Sequence, residues 1–248
     1  MIPNPIRKVL STLSTHEVRY LLMGGQACVL YGAAEFSRDC DIAILCNAKN
    51  LSRLDAALRE LKAERIAVPP FEPDYLQRGH AVHFRCQASD AVDIRIDVMA
   101  KMRNVAPFDE LWQRRATLAD DAGLQIEIMS VGDLVLAKKT QRDKDWPMIR
   151  RLIEADFAAK GDTANEDQIR FWLREARTPS LLTQLSSQHH AIAMNLCESR
   201  PLLQSAIARD QDSLESRLIE EQEAERKVDR AYWLPLKQEL EELRHKRL

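Results

Sequence analysis

Asp39 and Asp41 stand two residues apart at the head of the stretch DCDIAIL, and this pair constrains the chain more than anything else in it. Ile42, Ile44 and Leu45 call for burial, and the length and alternation suit a strand. In a strand, residues i and i+2 project to the same face, so the two carboxylates point together and Cys40 points the opposite way. Like charges side by side on a sheet are unfavourable unless a cation neutralises them. The fold must therefore supply a place where that charge is useful.

Upstream, the apolar run Val18 to Met23 reads as a short strand that ends in Gly24-Gly25. Two glycines let the backbone turn sharply and approach a ligand with no side chain in the way. Gln26 to Gly32 reads as a short helix, and the free amides at the start of a helix favour phosphate. Ser37, two residues before Asp39, falls on the same side as the carboxylates, with Arg38 on the other.

The remaining periodicities give the frame. Residues 5 to 16 place Ile6, Val9, Leu10 and Leu13 on one helical stripe. Asn50 to Glu64 is amphipathic, with Leu51, Leu54, Leu58 and Leu61 inward and Asn50 as its cap. Pro69, Pro70 and Pro73 mark a loop. Residues 81 to 87 alternate as a strand, and VDIRIDVM (92 to 99) reads as the next, with Asp93, Arg95 and Asp97 on one face. Residues 124 to 129 make a further strand, and a helix runs from Ser130 to Thr140. Asp145 is expected to cap the helix after it. Beyond Gly161 the segments 165–177, 180–198, 200–230 and 235–246 look helical, with Leu214, Leu218 and Val228 as the anchors of a narrow stripe.

A glycine pair, one helix of spacer and Asp-x-Asp on a strand together resemble the nucleotidyltransferase superfamily, the polymerase-beta-like fold. MGGQACVLYG, FSRDCDIAIL and the later LVLAKKTQRDKDW are similar, more narrowly, to the AbiEii-like and MenA-like toxin nucleotidyltransferases, over roughly residues 18 to 155. The resemblance implies an α/β (α+β) fold: a nucleotidyltransferase-type mixed sheet flanked by helices in a catalytic domain, residues 1–158, followed by a mostly α-helical domain, residues 159–248. It implies a third carboxylate on a strand after the Asp-x-Asp strand. Asp97, before Val98-Met99, fits that place best, with Asp93 as runner-up. It also implies a helix lysine, matched by Lys138, with Lys139 as the substitute.

The expected site is then Asp39, Asp41 and Asp97 as catalytic, metal-holding carboxylates, with Gly24, Gly25, Ser37 and Lys138 cradling the phosphates. Two Mg²⁺ ions and a nucleoside triphosphate such as ATP follow as cofactor and substrate. The implied reaction moves a nucleoside monophosphate to an acceptor. RNA, tRNA in particular, is the favoured acceptor, and the chain is read as the toxin of a toxin–antitoxin system with a cognate antitoxin as partner. Transfer to a protein or small molecule, and an inactive nucleotide- or partner-binding module, are the alternatives. Self-association into a homo-oligomer is left open.

Composition narrows the partners. A net charge of -2 gives no overall polycation and counts modestly against a large, nonspecific RNA-binding surface, while residues 138 to 151 concentrate six Lys and Arg. The five cysteines form no CxxC pair or zinc spacing, which fits reduced thiols in a cytoplasm. No apolar run approaches the ~18 residues of a membrane span, and the N-terminal residues lack a signal peptide's apolar core, so a soluble, cytoplasmic protein is expected.

Overall fold

The strand expected before the glycine pair forms over Tyr20–Met23 (β1), and all four of its residues are buried. Gly24–Leu30 (α2) follows without a gap, and Asp39–Ile44 (β2) returns antiparallel to β1, with Met23 opposite Asp41. The computed structural model of the protein describes residues 4–120 and 123–246. Among them Glu64–Arg65 (β3), Val82–Arg85 (β4), Arg95–Met99 (β5), Ala116–Ala119 (β6) and Gln125–Ile128 (β7) complete one mixed sheet, in the order β3-β4-β5-β2-β1-β7-β6. The β2/β5 and β1/β7 pairs are parallel and the others antiparallel. This is the expected α/β class, a mixed sheet flanked by helices.

Two compact units divide the chain. The first holds residues 1–30, 34–137 and 232–248, and so the whole sheet. Its core is built from the stripes the sequence shows. Asn4–Thr15 (α1) buries Ile6, Val9, Leu10 and Leu13, and Ala48–Glu60 (α3) buries Leu54, Ala57 and Leu58. The cap of α3 is Asn47, not Asn50: the Asn47 side chain accepts from the Asn50 N–H. Asn50 is buried one turn later and clamps the sheet instead. Its amide donates to the carbonyls of Arg19 and Leu45 and accepts from the Arg19 N–H, tying the start of β1 to the end of β2. Pro73–Arg78 (α4), Phe108–Arg114 (α5) and Val131–Lys138 (α6) complete the helices of this unit up to Ala137.

The second unit, residues 31–33 and 138–231, is helical. It contains Asp145–Lys160 (α7), Glu166–Glu175 (α8), Pro179–Gln188 (α9), His190–Leu196 (α10), Leu203–Ala208 (α11) and most of Gln211–His245 (α12). Residue 158, the expected domain end, lies inside α7. The helix expected over 180–198 breaks at His189, whose ψ of 49° is not helical. Pro235 does not end a helix either: α12 runs through it, and its residues from Tyr232 onward belong to the first unit. Of the three expected anchors of α12, Leu214 and Leu218 are buried and Val228 is exposed. Among the described residues no helix is long and apolar enough to cross a membrane.

Candidate active site

Three neighbouring strands bring the site together at one level of the sheet. In the parallel β2/β5 pair Asp41 stands opposite Asp97 and Asp39 opposite Arg95. In the antiparallel β4/β5 pair His83 stands opposite Asp97. Directly paired residues project to the same face, so Asp39, Asp41, Asp97, Arg95 and His83 share one side of the sheet. Cys40 and Ile96, between them in sequence, are fully buried on the other. The Cys40 thiol is pushed well up by burial, with the neighbouring Asp41 adding to the effect, so it stays a protonated packing group.

The glycine pair is shaped around these carboxylates. Gly24 has φ +65°, and a Cβ there would fall within the Asp41 side chain, 2.6 Å from its Cβ and nearer still to its carboxylate. The Gly25 N–H donates to Asp41 Oδ2 at 3.3 Å. A Cβ on Gly25 would lie 2.6 Å from Ser37 Oγ, and that hydroxyl donates to the Asp39 carbonyl at 3.4 Å. Gly24, Gly25 and Ser37 thus lie against the two aspartates. Gly24→Ala is expected to cost about 1–2 kcal/mol through the left-handed backbone alone and to drive the Asp41 carboxylate from its place. A lowered urea midpoint together with weakened nucleotide binding is the result to measure.

Asp97 is held tightly. Its Oδ1 accepts from Arg95 Nε at 2.6 Å and lies 2.8 Å from His83 Nδ1. Arg95 Nη2 lies 3.0 Å from the same His83 nitrogen, which donates to Asp97 or accepts from Arg95 according to its tautomer. Burial raises the Asp97 carboxyl, but the hydrogen bonds from His83 and Arg95 outweigh it and leave the group below its ordinary range. Asp93, the alternative third carboxylate, is excluded by its backbone. It precedes β5, has φ +64°, and its exposed side chain lies 3.8 Å from Arg85.

Lys138, the lysine the resemblance assigns to the phosphates, has a partner within its own unit. It lies in the second unit, buried, with its ammonium donating to Asp145 Oδ1 at 3.2 Å. Asp145 is buried at the first position of α7 rather than capping it, and its other oxygen accepts from Thr140 and Arg142 at 2.6 and 2.8 Å. Lys139, the substitute, reaches Glu175 at 2.7 Å. Arg150 is paired with Glu154 at 2.9 Å, so ion pairs take up much of the cationic run at 138–151.

Asp39, Asp41 and Asp97 offer only hard carboxylate oxygens, the donor chemistry that suits Mg²⁺. Among the described residues, however, no group of three or more His, Cys, Asp and Glu stands arranged to hold a metal ion. The donor set fits the ion, while the third ligand is turned to a cation the protein carries itself. Neither Arg95 nor His83 was singled out from the sequence. The signal was nonetheless there: both alternate onto the carboxylate face of their strands.

No family model matches the chain, and no curated protein matches it. Among solved structures, the chain is similar to the antibiotic-resistance factor ANT(2'')-Ia, known from a solution structure, at 16% identity and TM-score 0.42, over 75% of this chain and 96% of that one. A crystal structure of a candidate nucleotidyltransferase from H. pylori is similar at 13% identity and TM-score 0.39, over 92% and 94% of the two chains. Likeness at this level decides nothing about the present chain, and its chemistry must be argued from its own residues.

Proposed function

We propose that this protein is a nucleotidyltransferase, moving a nucleoside monophosphate from a nucleoside triphosphate to an acceptor hydroxyl. One observation carries the reading: Asp41 and Asp97 are register partners on parallel strands, and Gly24 is apposed to the Asp41 carboxylate where any side chain would collide with it. The acceptor hydroxyl gives up its proton to solvent as its oxygen forms a bond to the α-phosphorus, the bond from that phosphorus to the bridging oxygen breaks, and pyrophosphate leaves. Asp39 and Asp41 would hold Mg²⁺, with Asp97 as the further ligand once released from Arg95. A bound magnesium ion neutralises phosphate charge and orients the triphosphate. The Gly24-Gly25 turn lets phosphates approach the backbone, and Ser37 stands beside it. Most of the rate enhancement would then come from positioning and charge neutralisation, as in phosphoryl transfer generally.

We take RNA as the acceptor and a toxin role as its setting. The support for both is the resemblance in MGGQACVLYG and FSRDCDIAIL. The cationic stretch at 138–151 adds less to it than the sequence promises, being largely paired. The test is incubation of the full chain with each α-labelled nucleoside triphosphate, Mg²⁺, and total RNA or cell lysate. Label in the RNA fraction, with pyrophosphate released, is the expected result. Label in protein would move the acceptor to a polypeptide. No label in any fraction, with Asp39→Ala indistinguishable from wild type in a growth assay, would leave a binding module and overturn the transferase.

A further inference from the structure

The carboxylate face already contains a cation. Arg95 stands opposite Asp39 in the β2/β5 register and gives Asp97 a 2.6 Å charge-assisted hydrogen bond. Asp39 and Asp41 add to the field that strengthens its hold on its proton, behind the larger contribution of the Asp97 hydrogen bond. Its side chain is 39% exposed, whereas that of Asp97 is 15% exposed. Arg95 is thus the more exposed partner of the pair. An arginine fork matches a phosphate as well as a carboxylate. The lysine that the sequence offers for the phosphates is buried against Asp145.

We propose that Arg95 is the exchange residue of this site. Without nucleotide it holds Asp97 and neutralises the Asp39/Asp41/Asp97 face. When a nucleoside triphosphate arrives, its guanidinium transfers to the phosphate oxygens and frees Asp97 for the divalent cation. This inference rests on the nucleotidyl-transfer reading, and it replaces Lys138 with Arg95 as the phosphate-binding cation. No covalent bond changes in the exchange; one ion pair is traded for another. Its thermodynamic consequence is reciprocal coupling: nucleotide tightens metal binding, and metal tightens nucleotide binding by the same factor.

The test is calorimetric titration of the full chain with Mn²⁺ alone, with an α,β-methylene nucleoside triphosphate alone, and with each in the presence of the other. Wild type is expected to bind Mn²⁺ at least about tenfold more tightly once the nucleotide analogue is present, within the usual range of such couplings. Arg95→Met is expected to bind Mn²⁺ more tightly than wild type without nucleotide, to bind the analogue about tenfold more weakly in the absence of metal, and to lose most of the coupling. Arg95→Lys, which keeps the charge without the fork, should fall between the two and serves if Arg95→Met does not fold. If wild type shows the coupling and the Arg95 variants keep it in full, or if removing the guanidinium leaves Mn²⁺ affinity unchanged or weaker, the exchange role is overturned and the transferase reading stands. If wild type binds neither Mn²⁺ nor the analogue, the transferase reading itself fails and the exchange role with it.

Discussion

Asp41→Asn leaves a folded protein and lowers the transfer rate by about 10²- to 10³-fold, the scale on which removal of one preorganised electrostatic group acts. The amide has nearly the shape of the carboxylate, and its oxygen can still accept from the Gly25 N–H, so the turn at Gly24-Gly25 keeps its support. What is lost is the charge. Asp41 is the carboxylate against which Gly24 lies and to which the Gly25 N–H donates, and it stands beside Asp97 in register. Single-turnover rates with a labelled nucleotide measure the effect, and circular dichroism confirms the fold. Calorimetry separates ligand binding from chemistry. An Asn variant with wild-type Mg²⁺–nucleotide affinity would remove Asp41 from the site.

The largest stability effect is expected away from the sheet. Asp145→Ala should cost about 3–5 kcal/mol, the usual penalty for breaking a buried ion pair by deleting one partner. Lys138 is left with its ammonium buried, and Thr140 and Arg142 lose their acceptor in the same step. Urea unfolding of the full chain reads this directly. The pH dependence has a definite sign. Burial pushes the Asp145 carboxyl up, but attraction to Lys138, the Thr140 hydrogen bond and the Arg142 charge prevail and hold it below its ordinary value of 3.8. A group depressed on folding contributes stability above its unfolded pKa and loses it as pH falls through the folded value. The gap between wild type and Asp145→Ala should therefore be constant from neutral pH to about pH 5 and shrink below about pH 4. A gap that widened on acidification would refute the assignment.

How much was legible depended on whether one local rule decided the outcome. Strand alternation alone put Asp39 and Asp41 on one side with Cys40 on the other, and helical spacing alone identified the buried stripe Ile6, Val9, Leu10 and Leu13. The same alternation misleads between Val92 and Ile94. The apolar residues continue the period of β5, but Asp93 takes a left-handed backbone, its N–H donates to the Cys86 carbonyl, and Val92 is left exposed in a turn. Periodicity cannot see a turn whose residues happen to alternate. Lys138 shows a second limit. A lysine on a helix reads as a solvated cation until the fold buries it against Asp145, seven residues on. Pro235 shows a third. A proline is read as a stop, yet it costs a helix only one backbone hydrogen bond and a local clash, which a long helix can absorb. Arg95 was legible in position but not in meaning, since its importance comes from a register with β2 that no stretch of β5 encodes.

The end of α12 changes how the gene can be cut. Glu239, almost at the tail of the chain, accepts from Arg78 at 2.6 Å and meets the fully enclosed imidazole of His80 at 2.6 Å. Tyr232 fills the space beside Gly79, and Leu236 is buried. A shortened clone that stops where the sheet's own sequence stops would strip the lining from the α4–β4 corner and leave His80 wet. An expression fragment for the sheet unit therefore has to splice the residues from Tyr232 onward back in, by a linker or by supplying them as a separate peptide.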